Sequence, residues 1–305
     1  MSGAGGSDPV PPRFLFESNS KKETGVKIRL GYDISYHLPH PTPMVLMLNI
    51  HASRMGDLLE PDEIKTEPLL PLHYYYDGFG NRCARLMAPK GKLRLTCTTL
   101  IEDSGKPEVQ PVDAPQIPVQ ELPDETMVYL QGSRYCETDR MSNLAWSLFG
   151  KTKEGWPRVL AILEFVQNHL KFDYLKTRAT KSAIDAYNEK TGVCRDFQHL
   201  AITFCRCMNV PARYCTGYLG DIGVPAEDTP MDFSAWFEVF LGGRWHAVDA
   251  RHVKPRIGRI LMGRGRDAAD VPLSSSFGFH TLAGFKVVTE EVIERRPVEP
   301  IRAMS

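Results

Sequence analysis

The spacing of apolar residues changes from two to 3.6 across a single proline-laden stretch, and that change limits what this chain can fold into. Val26, Ile28, Leu30, Tyr32, Ile34 and Tyr36 alternate with Lys27, Arg29, Gly31, Asp33 and Ser35, the pattern of a half-buried strand. Met44 to Ile50 is a nearly continuous apolar run that suits a more deeply buried strand. Tyr74–Tyr76 and Arg82–Leu86 flank the turn residues Asp77-Gly78-Phe79-Gly80-Asn81, and Leu93, Leu95, Cys97, Thr99 and Ile101 alternate again. No helical stripe interrupts residues 26–102, so the pattern predicts an antiparallel β domain, a sandwich, over residues 26–105. Pro107, Pro111, Pro115, Pro118 and Pro123 then fall within seventeen residues. Such spacing forbids regular structure and predicts an extended linker over residues 106–125.

Helical periodicity begins beyond the linker. Val159, Ile162, Leu163, Val166 and Leu170 line one face, with Pro157 in the first turn, where its missing N–H costs little. A shorter helix is expected over Lys181–Lys190 with Thr180 as its N-cap, and a third from about Val193 to Met208, ending before Pro211. Strands follow at Ala212–Tyr218, Phe233–Leu241 and Arg244–Arg251, the last two joined by Gly242-Gly243. Helices followed by an antiparallel meander predict an α+β domain over residues 126–305. Residues 1–25 are small or polar and read as a flexible tail.

Composition removes several functional classes. Thirty-seven basic and thirty-seven acidic side chains cancel, so no global field draws in nucleic acid or an anionic membrane. No apolar run approaches the ~18–20 residues that span a bilayer. Residues 1–12 lack the apolar core of a secretory signal. Seven cysteines are an odd number without a paired spacing, which fits a reducing, cytoplasmic setting and mostly buried thiols.

One of those thiols stands apart. Thr191-Gly192-Val193-Cys194-Arg195-Asp196 sets Cys194 in the first turn of a helix, directly after a glycine and before an arginine. Helix-terminal N–H groups and a neighbouring guanidinium favour a thiolate, and a glycine admits close approach by a substrate backbone. A lone cysteine is more often a small core residue. The other six fit that description, whereas Cys194 combines three activating features.

The run TGVCRDFQHLAITFCRCMNVPARYCTGYLGD, Thr191 to Asp221, resembles the cysteine motif of bacterial transglutaminase-like proteins. The run MDFSAWFEVFLGGRWHAVDARH, Met231 to His252, resembles their second and third motifs, and the N-terminal β region is similar to the β domain that precedes their core. The resemblance spans roughly residues 26–290. It implies a papain-like fold with a Cys-His-Asp triad acting on amide bonds, by peptide hydrolysis or acyl transfer. Matched residue by residue, Cys194 takes the place of the nucleophile and Asp249 that of the acid orienting the histidine. Where the motif has its histidine, this chain has Ser234.

A two-residue loop at Gly242-Gly243 pairs Leu241 with Arg244, and paired positions then sum to 485. Continued outward, that register puts Ser234, Trp236, Glu238, Asp249 and Arg251 on one sheet face, with Ser234 and Asp249 diagonal neighbours. A serine hydroxyl is no base for a thiol near neutral pH. Among nine histidines, His199 points away from Cys194 around the helix, and His246 and His252 fall on the opposite sheet face. A bulge at Ala250 would turn His252 back to the site, and His280 would reach it if the C-terminal segment folds over. These two are the alternative bases. Trp236 and Arg195 are expected to flank the substrate groove.

Six basic residues and no acid occupy 251–266, which suits a solvated loop. Asp221, Glu227, Asp228 and Asp232 lack the spacing of a calcium loop. No metal and no cofactor are therefore expected, and the expected partner is a peptide or protein amide, with no nucleic acid or membrane. Two readings stay open. One is a cysteine-dependent amide hydrolase or acyl transferase, the other a binding or scaffold protein that has lost efficient catalysis.

Overall fold

A computed structural model describes residues 25–226, 231–252 and 254–293; the expected tail, up to residue 24, lies outside them. The first half is strand apart from a 3₁₀ turn at Ala52–Asp57: β1 Val26–Leu38, β2 Thr42–Leu46, β3 Lys65–Glu67, β4 His73–Tyr76, β5 Arg82–Ala88 and β6 Gly91–Asp103. The period-2 residues do what their spacing demands. Ile28, Leu30, Ile34 and Leu38 of β1 are each at most 1% exposed, and burying a side chain of that size is worth roughly 1.5–3 kcal/mol.

Residues 104–118 carry neither helix nor strand, and short 3₁₀ turns follow at Val119–Glu121 and Asp124–Leu130. The connector is strapped to the second half through its backbone. Ala114 O accepts from Trp156 N at 3.1 Å and Pro115 O from Gly242 N at 2.9 Å.

The second half contains α1 Thr138–Phe149, α2 Trp156–His169, β7 Lys171–Phe172, α3 Ala183–Glu189, β8 Thr191–Gly192 and α4 Cys194–Cys207. Then come β9 Ala212–Tyr218, β10 Ser234–Leu241, β11 Arg244–Val248, β12 Ile260–Gly265, β13 Ser274–Ser276 and β14 Thr281–Glu291. Helix α4 is the centre of this half. Every residue from Asp196 to Cys207 is buried, because α1, α2 and α3 lie against it together with β9 and β10. The expected N-cap at Thr180 is corrected: Ser182 caps α3, and the Asp185 carboxylate accepts from the Ser182 N–H at 3.2 Å.

Three four-stranded antiparallel sheets organise the molecule, in the orders β14-β1-β6-β3, β13-β2-β5-β4 and β11-β10-β9-β12. The first two share one apolar core. That core also takes in Tyr218, Phe233, Ile260 and Met262 from the second half, so the halves meet through packed side chains. The expected boundaries need correction here. Residues 126–305 are not a single α+β unit, because β14 pairs with β1 and β13 with β2. Left alone, β1 and β2 would each present an unpaired edge; the returning chain covers both and carries Thr289, Glu290 and Glu291 to the mouth of a groove.

Candidate active site

The turn into α4 is built around Asp196. Its Oδ2 accepts from the Val193 N–H at 3.0 Å, capping the helix so that Cys194 is the first helical residue. A Cβ on Gly192 would sit 2.6 Å from Asp196 Cβ. Gly192 thus makes room for the capping aspartate, and the expected approach of a substrate backbone at that glycine is set aside. Arg195 turns from the groove: its Nη2 donates to Asp196 Oδ1 at 3.1 Å and to Arg178 O at 2.6 Å, and the guanidinium lies 5.6 Å from the Tyr135 ring.

Cys194 is partly exposed, while the other six cysteines are buried, and all seven are free. Burial nevertheless pushes its thiol up to about 11. The Arg251 charge and a hydrogen bond from the Ala235 backbone pull it down, and Asp232 and Asp249 push it up. Desolvation is the largest of these influences and runs against the thiolate that the helix terminus is expected to favour.

The β10–β11 register is the one that the glycine pair predicts, Leu241 facing Arg244 and Phe237 facing Val248. It stops there. Asp249 leaves the ladder, and its Oδ1 accepts from the backbone N–H groups of Arg251 at 2.8 Å and His252 at 3.1 Å. This aspartate-centred turn replaces the bulge considered at Ala250 and has the same effect of swinging His252 round. His252 Nδ1 then lies 3.3 Å from Asp249 Oδ2. Gln198 of α4 locks the turn from behind, donating through Nε2 to Asp249 Oδ1 at 2.8 Å and accepting from Ala250 N at 3.1 Å. Arg259 Nη2 completes the set, donating to Asp249 Oδ2 at 2.9 Å. Burial opposes charge on Asp249, but the Arg259 guanidinium and His252 outweigh it and hold the carboxyl far below the usual range.

Cys194, Ser234 and His252 line one groove of about 380 Å³, together with Tyr174, Asp232 and Arg251. Asp249 sits behind His252, in a small cleft that also touches Glu108 and Lys254. The predicted Trp236 does not reach the groove. It is 3% exposed and packs with Cys215 and Leu261. His280 is exposed at the opposite end of β14 from the groove, hydrogen-bonded to Ser276 and 5.5 Å edge-on from the Tyr36 ring. Ten residues of strand, ~33 Å, separate it from Glu290. His199 is buried against Tyr135, ring centroids 5.0 Å apart, and His246 is buried beside the Leu241 carbonyl. Three members of the site escaped the sequence reading: Gln198, Arg259 and Glu108. Gln198 had a legible signal, since it follows Cys194 by four residues and shares its helix face.

Residues 143–250 match the transglutaminase-like superfamily model. A solved candidate cysteine protease from Cytophaga hutchinsonii superposes with a TM-score of 0.77 at 28% identity, covering 89% of this chain and 92% of that one. The chain carries a transglutaminase-like core. Relatives include an uncharacterized protein of Mycobacterium leprae, 26% identical over 239 residues, 75% of this chain and 84% of the relative. A Mycobacterium bovis protein is 37% identical over 94 residues, 27% of this chain and 29% of its own. No helix among the described residues is long and apolar enough to cross a membrane.

Proposed function

We propose that this transglutaminase-like protein is a cysteine hydrolase of peptide or protein amide bonds, with Cys194 as nucleophile, His252 as general base and Asp249 as the group orienting the base. The observation that carries the reading is the Asp249–His252 contact, made by a histidine that shares a groove with Cys194. Asp249 faces Nδ1 and fixes the tautomer that leaves Nε2 for the thiol proton, the division of labour found in triads generally. A thiol held near 11 needs such a base. Cys194 then attacks the amide carbonyl, its proton passes through His252 to the leaving amine, and water resolves the thioester. The Cys194 and Arg195 N–H groups, at the very start of α4, lack helical acceptors and are suited to receive the oxyanion. Ser234 stands at the motif position of the missing histidine and contributes a hydroxyl to the groove wall. Seven unpaired thiols suit a reducing compartment, and a cytoplasmic setting is part of the proposal.

A second reading, a binding protein on an inactive transglutaminase-like scaffold, draws on the raised thiol. Hydrolysis of a fluorogenic peptide library by wild type, Cys194→Ala and His252→Gln separates the two. The enzyme reading expects turnover that both variants abolish. Turnover by neither wild type nor variants, with peptides still retained by Cys194→Ala, would establish the binding reading.

A further inference from the structure

Behind the proposed dyad runs a chain of charges that begins in the proline-rich connector. Glu108 Oε1 lies 2.6 Å from Arg259 Nε, Arg259 Nη2 lies 2.9 Å from Asp249 Oδ2, and the same Oδ2 lies 3.3 Å from His252 Nδ1. The inner members are closed to water: the side chains of Arg259 and Asp249 are 5% and 2% exposed, that of Glu108 24%. The backbone holds the connector in place as well, Glu108 N donating to Arg256 O at 3.3 Å.

Charge arithmetic gives Glu108 a purpose. Arg259 alone would cancel Asp249 and leave nothing to balance an imidazolium formed beside it. A second carboxylate on the same guanidinium restores the missing negative charge. We infer that Glu108 is a positioning residue of the site, acting through Arg259 and Asp249 to keep His252 basic enough to take the Cys194 proton. The inference rests on the proposed base role of His252. In a low-dielectric cluster of this kind, charges a few ångströms apart couple strongly. Other charged groups also bear on His252. From the groove these are Cys194 of α4, Asp232 ahead of β10, Arg251 of its own turn, the Asp221–Arg256 pair, and Glu290 and Glu291 of β14. From behind, Lys254 shares the cleft. Glu108 reaches the dyad through a continuous line of ion pairs.

The test is an NMR titration of histidine-labelled full-length protein, with the His252 resonance assigned by its loss in His252→Gln. Glu108→Gln should lower the His252 titration midpoint by about half a unit or more. Arg259→Gln should move it the opposite way, and Glu108→Asp should restore most of the wild-type value. A merely structural role would lower stability without shifts of opposite sign. Should Arg259→Gln fail to fold, Glu108→Gln still decides, because Glu108 is partly solvent-exposed. An unchanged midpoint in folded Glu108→Gln overturns the inference. The readout needs no turnover, so an inactive protein would defeat the hydrolase reading while leaving the charge chain to be judged on its own.

Discussion

His252 Nδ1 lies 3.3 Å from Asp249 Oδ2, and the same aspartate's Oδ1 accepts the backbone N–H of His252 at 3.1 Å. One carboxylate therefore builds the turn and orients the ring it presents. His252→Ala should accordingly lower kcat/KM for amide hydrolysis by about 10²–10⁴-fold, the usual worth of a general base. Ser234→Ala should cost less than about tenfold, since a hydroxyl cannot accept the thiol proton. The two variants are compared on one peptide substrate. Equal losses would return the base role to the β10 position.

Asp249→Asn tests the same turn through stability. The amide oxygen still accepts from the Arg251 and His252 N–H groups, but the buried Arg259 loses its inner counter-ion. Removing one partner of a buried pair costs about 3 kcal/mol or more, which chemical denaturation would register. The pH dependence has a definite sign. A carboxyl depressed in the folded state contributes stability above its unfolded value of about 3.9, and that contribution drains away as pH falls below it. Between pH 6 and pH 3 the melting temperature of wild type should therefore fall more steeply than that of Asp249→Asn, measured by calorimetry. Parallel slopes would contradict the depressed carboxyl.

The sequence made some of this site legible and hid the rest for identifiable reasons. Cys194 at a helix start follows from local signals: Gly192 just ahead of it, Arg195 directly after it, and a segment that ends before Pro211. The Leu241–Arg244 register follows from Gly242-Gly243, both at positive φ, the region a tight hairpin loop requires. Trp236 shows where periodicity misleads. Its placement on the Ser234 face was right in parity, but that face beyond Ser234 packs on Cys215 and Leu261. The departure of Asp249 from the ladder escaped because a strand's alternation ends wherever a side chain offers the backbone a better acceptor, and nothing in the pattern marks that point. Arg259 and Glu108 stand 10 and 141 residues from Asp249 along the chain; only tertiary packing joins them.

The raised thiol of Cys194 predicts how it meets an electrophile. With its thiol pushed up to about 11, the alkylation rate with iodoacetamide should keep climbing from pH 7 to pH 10, followed by intact mass. A low-pKa thiolate would instead level off near neutrality. Arg251→Ala removes the largest opposing influence, so its profile should lie further to the alkaline side. A plateau by pH 7 in wild type would mean that an ion pair with the base already exists at rest.

Gly192→Ala should disrupt the nucleophile without touching it. The new Cβ would sit 2.6 Å from Asp196 Cβ and 3.0 Å from its Oδ2, and Asp196 is 1% exposed, so the carboxylate has little room to retreat. Displacing it breaks the bond to the Val193 N–H that starts α4, and losing a helix cap costs about 1 kcal/mol. Overpacking adds a further ~1–3 kcal/mol. Cys194, the next residue along, would lose its fixed place at the helix terminus. The expected outcome is a clear fall in melting temperature together with a loss of amidase activity larger than the stability change explains at 25 °C. If the variant melts like wild type and turns over normally, the Asp196 cap is not what sets the position of the thiol.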